Sequence, residues 1–338
     1  MLKKILKKLK QFNEINFKID TLNNNVENLK TNFLQTNNIG SQLDLLNRQI
    51  LNANNNLDEQ KILMAKSVLL QQKLLKSKKI QDYEFKVFSQ WGDDGIIQFL
   101  VNYLDIDQKI FIEFGVENYK EANTRFLLIN NNWSGLVMDG SKENMSQLQN
   151  EDIYWRYNIK GKQLFITKDN INEAIKSEGI SGDIGLLHID IDGNDYWVWK
   201  EISVISPVIT VVEYNSVFGK DHPWTVPYDK NFNRTNKHYS NLYFGSSLLS
   251  LCDLAKEKGY IFIGCNSNGN NAYFIRKDKI KDLMPLNPEE GYISSQFRES
   301  RDINGNLTYI SGIKRIKTIE GMSIFNTRSL KLEKINEK

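Results

Sequence analysis

Four short apolar runs between residues 109 and 213 each end in a carboxylate. Residues 109–114 carry Glu113, 135–138 run into Asp139, 184–191 hold Asp190 with Asp192 just beyond, and 208–212 lead into Glu213. Each run has the length and side-chain content of a buried strand. Helical stretches are expected at 88–104, entered from a turn at 92–95, and at 122–130, 170–177 and 248–258. Further strands are expected at 163–166, 260–264 and 272–276. Strands alternating with helices predict an α/β chain with a Rossmann-like, doubly wound sheet. In such sheets ligands sit outside the carboxyl ends of the strands, so the recurring acids mark one cleft.

Residues 1–80 obey a different pattern. They are rich in Asn, Lys, Leu and Gln, and lack Pro and Trp. Leu2, Ile5, Leu9, Phe12, Ile15, Ile19, Leu22, Val26, Leu29 and Phe33 recur at steps of three and four, a heptad-like seam. The seam is expected to lose its phase near residues 37–40, with a second helical stretch through Leu43, Leu46, Ile50 and Leu57 and on over 62–75. A polar helix with a narrow apolar stripe gains little alone. Segment 1–80 is therefore expected to be a helical coiled coil that makes a homo-oligomer. The Rossmann-like domain follows at 83–280, and 281–338 form an extension expected to pack near the active site.

Composition narrows the function. The 338 residues carry 44 basic and 41 acidic side chains, net +3, with no overall field for gripping nucleic acid. Two cysteines, Cys252 and Cys265, match no zinc spacing and suit a reducing compartment. No run reaches the roughly 20 apolar residues of a membrane span, and the basic amphipathic start has no cleavage site. A cytoplasmic protein is expected, with membrane contact only peripheral if any.

The strand ends select a cofactor. Asp139 lies at the distance from Gly115 expected of an acid that holds a ribose diol. The turn at 114–119 lacks the further glycines that admit a pyrophosphate, and Glu117 would repel one. A nucleoside without phosphates fits, and S-adenosylmethionine, with its sulfonium and ammonium charges, suits a cleft lined by carboxylates. NAD is the second choice.

Several motifs then fall in order: Ser89-Gln90-Trp91-Gly92-Asp93-Asp94-Gly95, Phe111-Ile112-Glu113-Phe114-Gly115, Asn123-Thr124 and Trp133-Ser134-Gly135-Leu136. Together they resemble the FkbM-type methyltransferases, class I enzymes that often methylate sugar hydroxyls. The segment from His188 to Trp197, with Glu213-Tyr214-Asn215 and Tyr243-Phe244-Gly245-Ser246-Ser247-Leu248, resembles a bacterial subgroup associated with surface polysaccharides. The resemblance covers residues 83–320. It implies a cofactor site built from Gln90, Gly92, Glu113, Gly115, Asn118, Asn123, Asp139, Gly140, Ser141 and Asp190, and a sugar or nucleotide-sugar acceptor of capsule or lipopolysaccharide synthesis.

A sugar hydroxyl needs a general base, an acidifying metal, or both. The metal-dependent O-methyltransferases of this fold imply Asp192 (or Asp190), Glu213 and Asn215 as ligands, and oxygen donors of this kind suit Mg²⁺. Asp195 is the matching base, with Asp192, His222 and His238 as further catalytic candidates. His188 lies within a strand and is expected to be a core residue. The long segment 216–244 is expected to be a lid or binding loop, with a structured insertion that covers the sheet edge as the alternative. Tyr214, Trp224, Tyr228 and Tyr239 are candidates for stacking on a sugar ring, and Arg298 and Arg301 for a diphosphate. A non-sugar acceptor (amine, lipid or protein), or a non-catalytic scaffold with a degenerate site, are the competing readings.

Overall fold

In the computed structural model, secondary structure is described for residues 2–336; side chains within 1–17, 19–20, 33–40, 51 and 54–55 lie outside the description. The chain divides into two compact units, Met1–Lys61 and Ile62–Lys338.

The first unit is helix. α1 (Leu2–Gln72) runs unbroken through residues 37–40, where a break was expected, and on into the second unit. Steps of four and three from Leu29 lead through positions 33, 36 and 40 to Leu43, so the register survives although Thr36 and Gly40 occupy it. Leu22, Val26, Leu29, Leu43, Leu46, Ile50 and Leu57 are all exposed. The expected seam residues from Leu2 to Ile19, and Phe33, have side chains outside the description.

The second unit begins with the last turns of α1, where Ala65 is buried against Val87, Phe88 and Phe126. α2 (Asp93–Tyr103), β1 (Ile110–Phe114), α3 (Arg125–Asn131), β2 (Ser134–Asp139), α4 (Lys142–Asn150), α5 (Asp152–Arg156), β3 (Ile159–Gln163), α6 (Ile171–Ser177) and β4 (Gly182–Ile189) follow. Next come α7 (Asp195–Glu201), β5 (Ile205–Glu213), β6 (Trp224–Thr225), α8 (Arg234–Lys237), α9 (Leu248–Glu257), β7 (Tyr260–Cys265) and β8 (Asn271–Arg276). The chain closes with α10 (Pro288–Gly291), α11 (Ile313–Thr318), β9 (Ser323–Asn326) and β10 (Lys331–Lys334).

Seven strands form one sheet in the order β3-β2-β1-β4-β5-β8-β7. The first five are parallel; β8 is antiparallel to both of its neighbours. Period-two alternation feeds a core on each face. Ile112, Phe114, Leu136 and Met138 pack with α6, α7 and α9 on one side. Phe111, Val137 and Leu186 pack with α2, α3 and α4 on the other. This is the Rossmann-like, doubly wound sheet expected from the sequence, and its order reverses between β1 and β4.

Two expectations are corrected here. The third strand is Ile159–Gln163, not 163–166: its Lys160 and Lys162 suit an edge strand, and the apolar residues after it line a cleft instead. Segment 216–244 is a packed layer, not a lid. Phe218, Trp224, Val226, Phe232, Leu242, Tyr243 and Phe244 share a core with Ile319, Ile324 and Ile335. β6 joins β9 and β10 in a second, three-stranded sheet.

No helix among the described residues is long and apolar enough to cross a membrane.

Candidate functional site

The reversal point of the sheet opens into a cleft of about 450 Å³ outside the carboxyl ends of β1, β2, β4 and β5. Gly115 closes its floor. Its φ is +71°, and a Cβ there would lie 1.7 Å from the Asp190 carbonyl oxygen, so only glycine admits this approach of the β1 turn to the end of β4. The same turn holds Glu117 (φ 47°) and Tyr119 (φ 65°) in left-handed conformations.

Parallel register puts Glu113 opposite His188. The buried Glu113 accepts the backbone N–H groups of Asn123 at 2.9 Å and Thr124 at 3.0 Å, and the Thr124 hydroxyl at 2.5 Å. His188 Nδ1 lies 3.2 Å from Glu113 Oε1, and its Nε2 is 2.7 Å from the Asn123 carboxamide. Burial alone would raise the Glu113 pKa, but the His188 contact and the Thr124 and Asn123 donors hold it below the ordinary value. Burial likewise opposes protonation of His188, and Glu113, then Asp190, override it and raise the imidazole pKa. The pair braces the wall of the cleft. His188 is therefore a cleft residue as well as a strand residue; what the sequence lacked was the β1–β4 register.

Across the cleft, Asp139 accepts the N–H of Glu117 at 2.9 Å on one oxygen and that of Ser141 at 2.7 Å on the other. Each carboxylate oxygen keeps a lone pair for a further donor. Gln90, Asn123 and Gly140 also line the cleft. Gln90 is carried on a loop fixed by Asp94, whose Oδ2 accepts the N–H groups of Val87, Phe88 and Ser89 at 2.7–2.8 Å and the Ser89 hydroxyl at 2.9 Å. Of the expected cofactor residues, Gly92 caps α2, Ser141 caps α4, and Asn118 binds Gln147; none of these three lines the cleft.

At the other end, ligand atoms of Asp190, Asp192 and Glu213 lie within 4.8 Å of one another. Burial, then the charge of Asp192, pushes the Asp190 carboxyl up to about 7. Burial, then Asp190 and Asp192, raises Glu213 as well, and its Oε2 is a buried acceptor without a partner. Asp192 is held in a left-handed turn (φ 55°) and receives Arg234 Nη1 at 2.5 Å. Arg234 reaches in from α8, stacked over the Phe244 ring at 3.8 Å. Phe232 packs on Gly193, where a Cβ would meet its ring at 2.2 Å.

Several expected residues stand elsewhere. Asn215 is buried, donating to the carbonyls of Leu242 and Phe244 and accepting from Val217 N–H, so Asp190 takes its place in the acidic cluster. Asp195 is fully buried and accepts the N–H groups of Ile191 and Gly193 at 2.8 and 2.9 Å; it clamps the turn that carries Asp192 and does not line the cleft. His222 stacks on Trp224, and His238 pairs with Ser240 and Tyr239, both away from the cleft. Tyr214 donates to Ile293 O, Trp224 is core, Tyr228 donates to Asp169, and Tyr239 is exposed. Arg298 sits over Tyr309, and Arg301 donates to Gly305 O. Arg234, of the aromatic and basic segment 216–244, lines the cleft, as do Phe232, Phe165 and Asn194, which the sequence did not point to.

No family model matches the chain, and no curated protein sequence does. Among solved structures, the N-terminal domain of EvdMO1 with SAH bound is similar at a TM-score of 0.36 and 10% identity, covering 56% of this chain and 80% of that one. The same domain in the presence of SAH and D-fucose gives 0.36 and 11%, over 62% and 94%. An S-adenosylmethionine-dependent methyltransferase from Clostridium acetobutylicum ATCC 824 gives 0.34 and 11%, over 54% and 89%. Likeness at this level carries no argument about this chain. Its fold rests on its own strand order.

Proposed function

We propose that the chain is an S-adenosylmethionine-dependent O-methyltransferase acting on a sugar hydroxyl. One observation carries the reading: Asp139 stands at the end of β2 in a cleft at the sheet's reversal point, facing a β1 turn with only one glycine. Such a site offers a ribose diol its carboxylate and offers a pyrophosphate no glycine-rich backbone at the β1 turn. Asp139 takes the ribose, and the walls formed by Gln90, Glu113, Gly115 and Asn123 take the rest of the cofactor. Asp190, Asp192 and Glu213 face the acceptor side. Bound there, the cofactor would supply an electrophilic methyl group, and a cleft carboxylate would take the proton of the acceptor hydroxyl. In-line positioning supplies much of the rate. The sugar class and a place in capsule or lipopolysaccharide synthesis rest on the motif resemblance.

The acidic cluster fits a hard divalent cation such as Mg²⁺, because three carboxylates converge and Glu213 Oε2 lacks a partner. When bound, the ion supplies Lewis acidity to the acceptor hydroxyl. Along α1, the exposed apolar positions suit pairing with α1 of a second copy.

Calorimetry with S-adenosylhomocysteine tests the cofactor. Asp139→Ala removes two charge-assisted hydrogen bonds, about 3 kcal/mol or more in total, and should weaken binding on the order of a hundredfold. Unchanged affinity would refute the assignment, and tight NAD binding would replace it.

A further inference from the structure

Arg315 is a buried cation without a counter-ion. Only 6% of it is exposed, and it stands in no ion pair with a described residue. Its single side-chain hydrogen bond goes from Nη1 to the neutral Ser295 hydroxyl, and its Nε is buried without a partner. The guanidinium rests on the Phe297 ring at 5.5 Å, and Phe297 stacks in turn on Trp91 at 6.4 Å. The Trp91 indole N–H is a second buried donor with no acceptor, one residue from Gln90 of the cleft wall. Arg234 supplies a third: its Nη2 makes no hydrogen bond, although the guanidinium is ion-paired with Asp192 at 2.5 Å and with Glu299 at 3.6 Å. Burial, followed by the positive field of Arg234, lowers the Arg315 pKa against the opposing influence of Tyr292 and Glu299, so the two guanidinium groups feel each other. The Ser295 hydroxyl is bonded to that of Ser216, three residues beyond Glu213.

A buried, uncompensated guanidinium is costly, and orphaned N–H donors of one polarity call for an acceptor of the opposite charge. We infer that Arg315, with Arg234, binds an anionic group of the acceptor, a phosphoryl or a carboxylate. This deepens the methyltransferase reading and rests on it: the acceptor sugar carries a negative charge, and Arg315, rather than Arg298 or Arg301, reads it. Guanidinium forks suit the paired oxygens of either anion.

The full chain is titrated with pyrophosphate and, separately, with glucuronate at constant ionic strength, by calorimetry and thermal unfolding. One anion should bind and raise the melting temperature; which of them does so distinguishes phosphoryl from carboxylate. Arg315→Met should weaken that anion at least about tenfold, with Arg315→Lys intermediate. Arg298→Ala and Arg301→Ala should leave it unchanged. Without anion, Arg315→Met should melt no lower than the parent, since it removes an unpaired buried charge. A purely structural arginine would instead lower the melting point and leave anion affinity alone. S-adenosylhomocysteine affinity should stay the same in every Arg315 variant, so failure of the cofactor reading shows separately. The inference is overturned if neither anion binds, if Arg315→Met binds as the parent does, or if Arg298 or Arg301 carries the loss.

Discussion

Asp94→Asn isolates the energetics of the loop that presents Gln90. In the parent, one carboxylate oxygen accepts four donors while the other is buried with no partner. Burial outweighs those bonds and pushes the carboxyl from 3.8 up to about 6. A pKa raised on folding adds stability in full below the unfolded value and loses it as pH rises through the folded one. With 3.8 and 6 as the two values, the ionised group opposes folding by about 3 kcal/mol at pH 7 and by about half that at pH 5. Asparagine keeps an oxygen for the donors and removes the charge, at the expense of weaker bonds and a buried NH₂ facing the unpartnered side. Relative to the parent, the variant should therefore be more stable at pH 7 than at pH 5, by roughly 1.3 kcal/mol. Urea unfolding of both proteins at the two pH values measures that difference of differences, which cancels every other titrating group. Equal differences at both pH values, or a shift of opposite sign, would show that Asp94 is not held above its ordinary pKa. Asp94→Ala should strand three backbone donors, loosen Gln90 and weaken S-adenosylhomocysteine binding.

EDTA should abolish turnover while leaving cofactor affinity intact, with Mg²⁺ restoring it; full activity of protein shown to be metal-free would remove the ion from the reading. Asp190→Asn and Glu213→Gln should mimic chelation in calorimetry with Mg²⁺, whereas Asn215→Ala should lower the melting temperature, because its carboxamide ties Leu242 and Phe244 to the end of β5. Arg234→Gln removes a cation in contact with Asp192 and should tighten Mg²⁺ binding, on the order of tenfold; weaker or equal binding would refute competition between guanidinium and metal. Leu29→Lys with Ile50→Lys places charge on two exposed seam positions of α1 and should lower the mass of the assembly by light scattering; an unchanged mass would remove α1 from the interface.

The sheet was legible because its evidence is local. Each buried parallel strand is an apolar run, and each acid follows its own run, so residues 109–213 state both the strands and the chemistry at their ends. Parallel pairing then gathers Glu113, Asp139, Asp190 and Glu213 on one edge without further information. The edge strand escaped notice for the opposite reason: Ile159-Lys160-Gly161-Lys162-Gln163 is polar, and only its pairing with β2 makes it a strand. Helix α4 has too few apolar positions to stand out and α5 spans only 5 residues, yet each buries one face, through Met145 and Leu148 and through Ile153.

The misassigned site residues share one cause, which is competition for the same side chain from contacts distant in sequence. Asn215 was a plausible ligand by position, but the chain turns into a short 3₁₀ helix at Ser216–Phe218, and Asn215 caps it. Asp195 begins α7 and is drawn inward by two backbone donors of its own turn, a local role that an acid near a helix start commonly takes. The aromatic residues of 216–244 looked like a sugar platform because their apolar partners, Ile319, Ile324 and Ile335, lie some hundred positions later. Histidine shows the same effect in reverse. His188 was discounted for lying in a strand, yet a strand is where register can place it against Glu113, while His222 and His238, in the polar stretch, found aromatic neighbours outside the cleft. A catalytic assignment in such a fold therefore turns less on which residue types follow a strand than on which of them the next hundred residues leave unclaimed. By that criterion the unclaimed groups include Glu213 Oε2 on the acidic side and Arg315 Nε, Arg234 Nη2 and the Trp91 indole on the basic side. A divalent ion on the first and an anionic acceptor on the others would satisfy both.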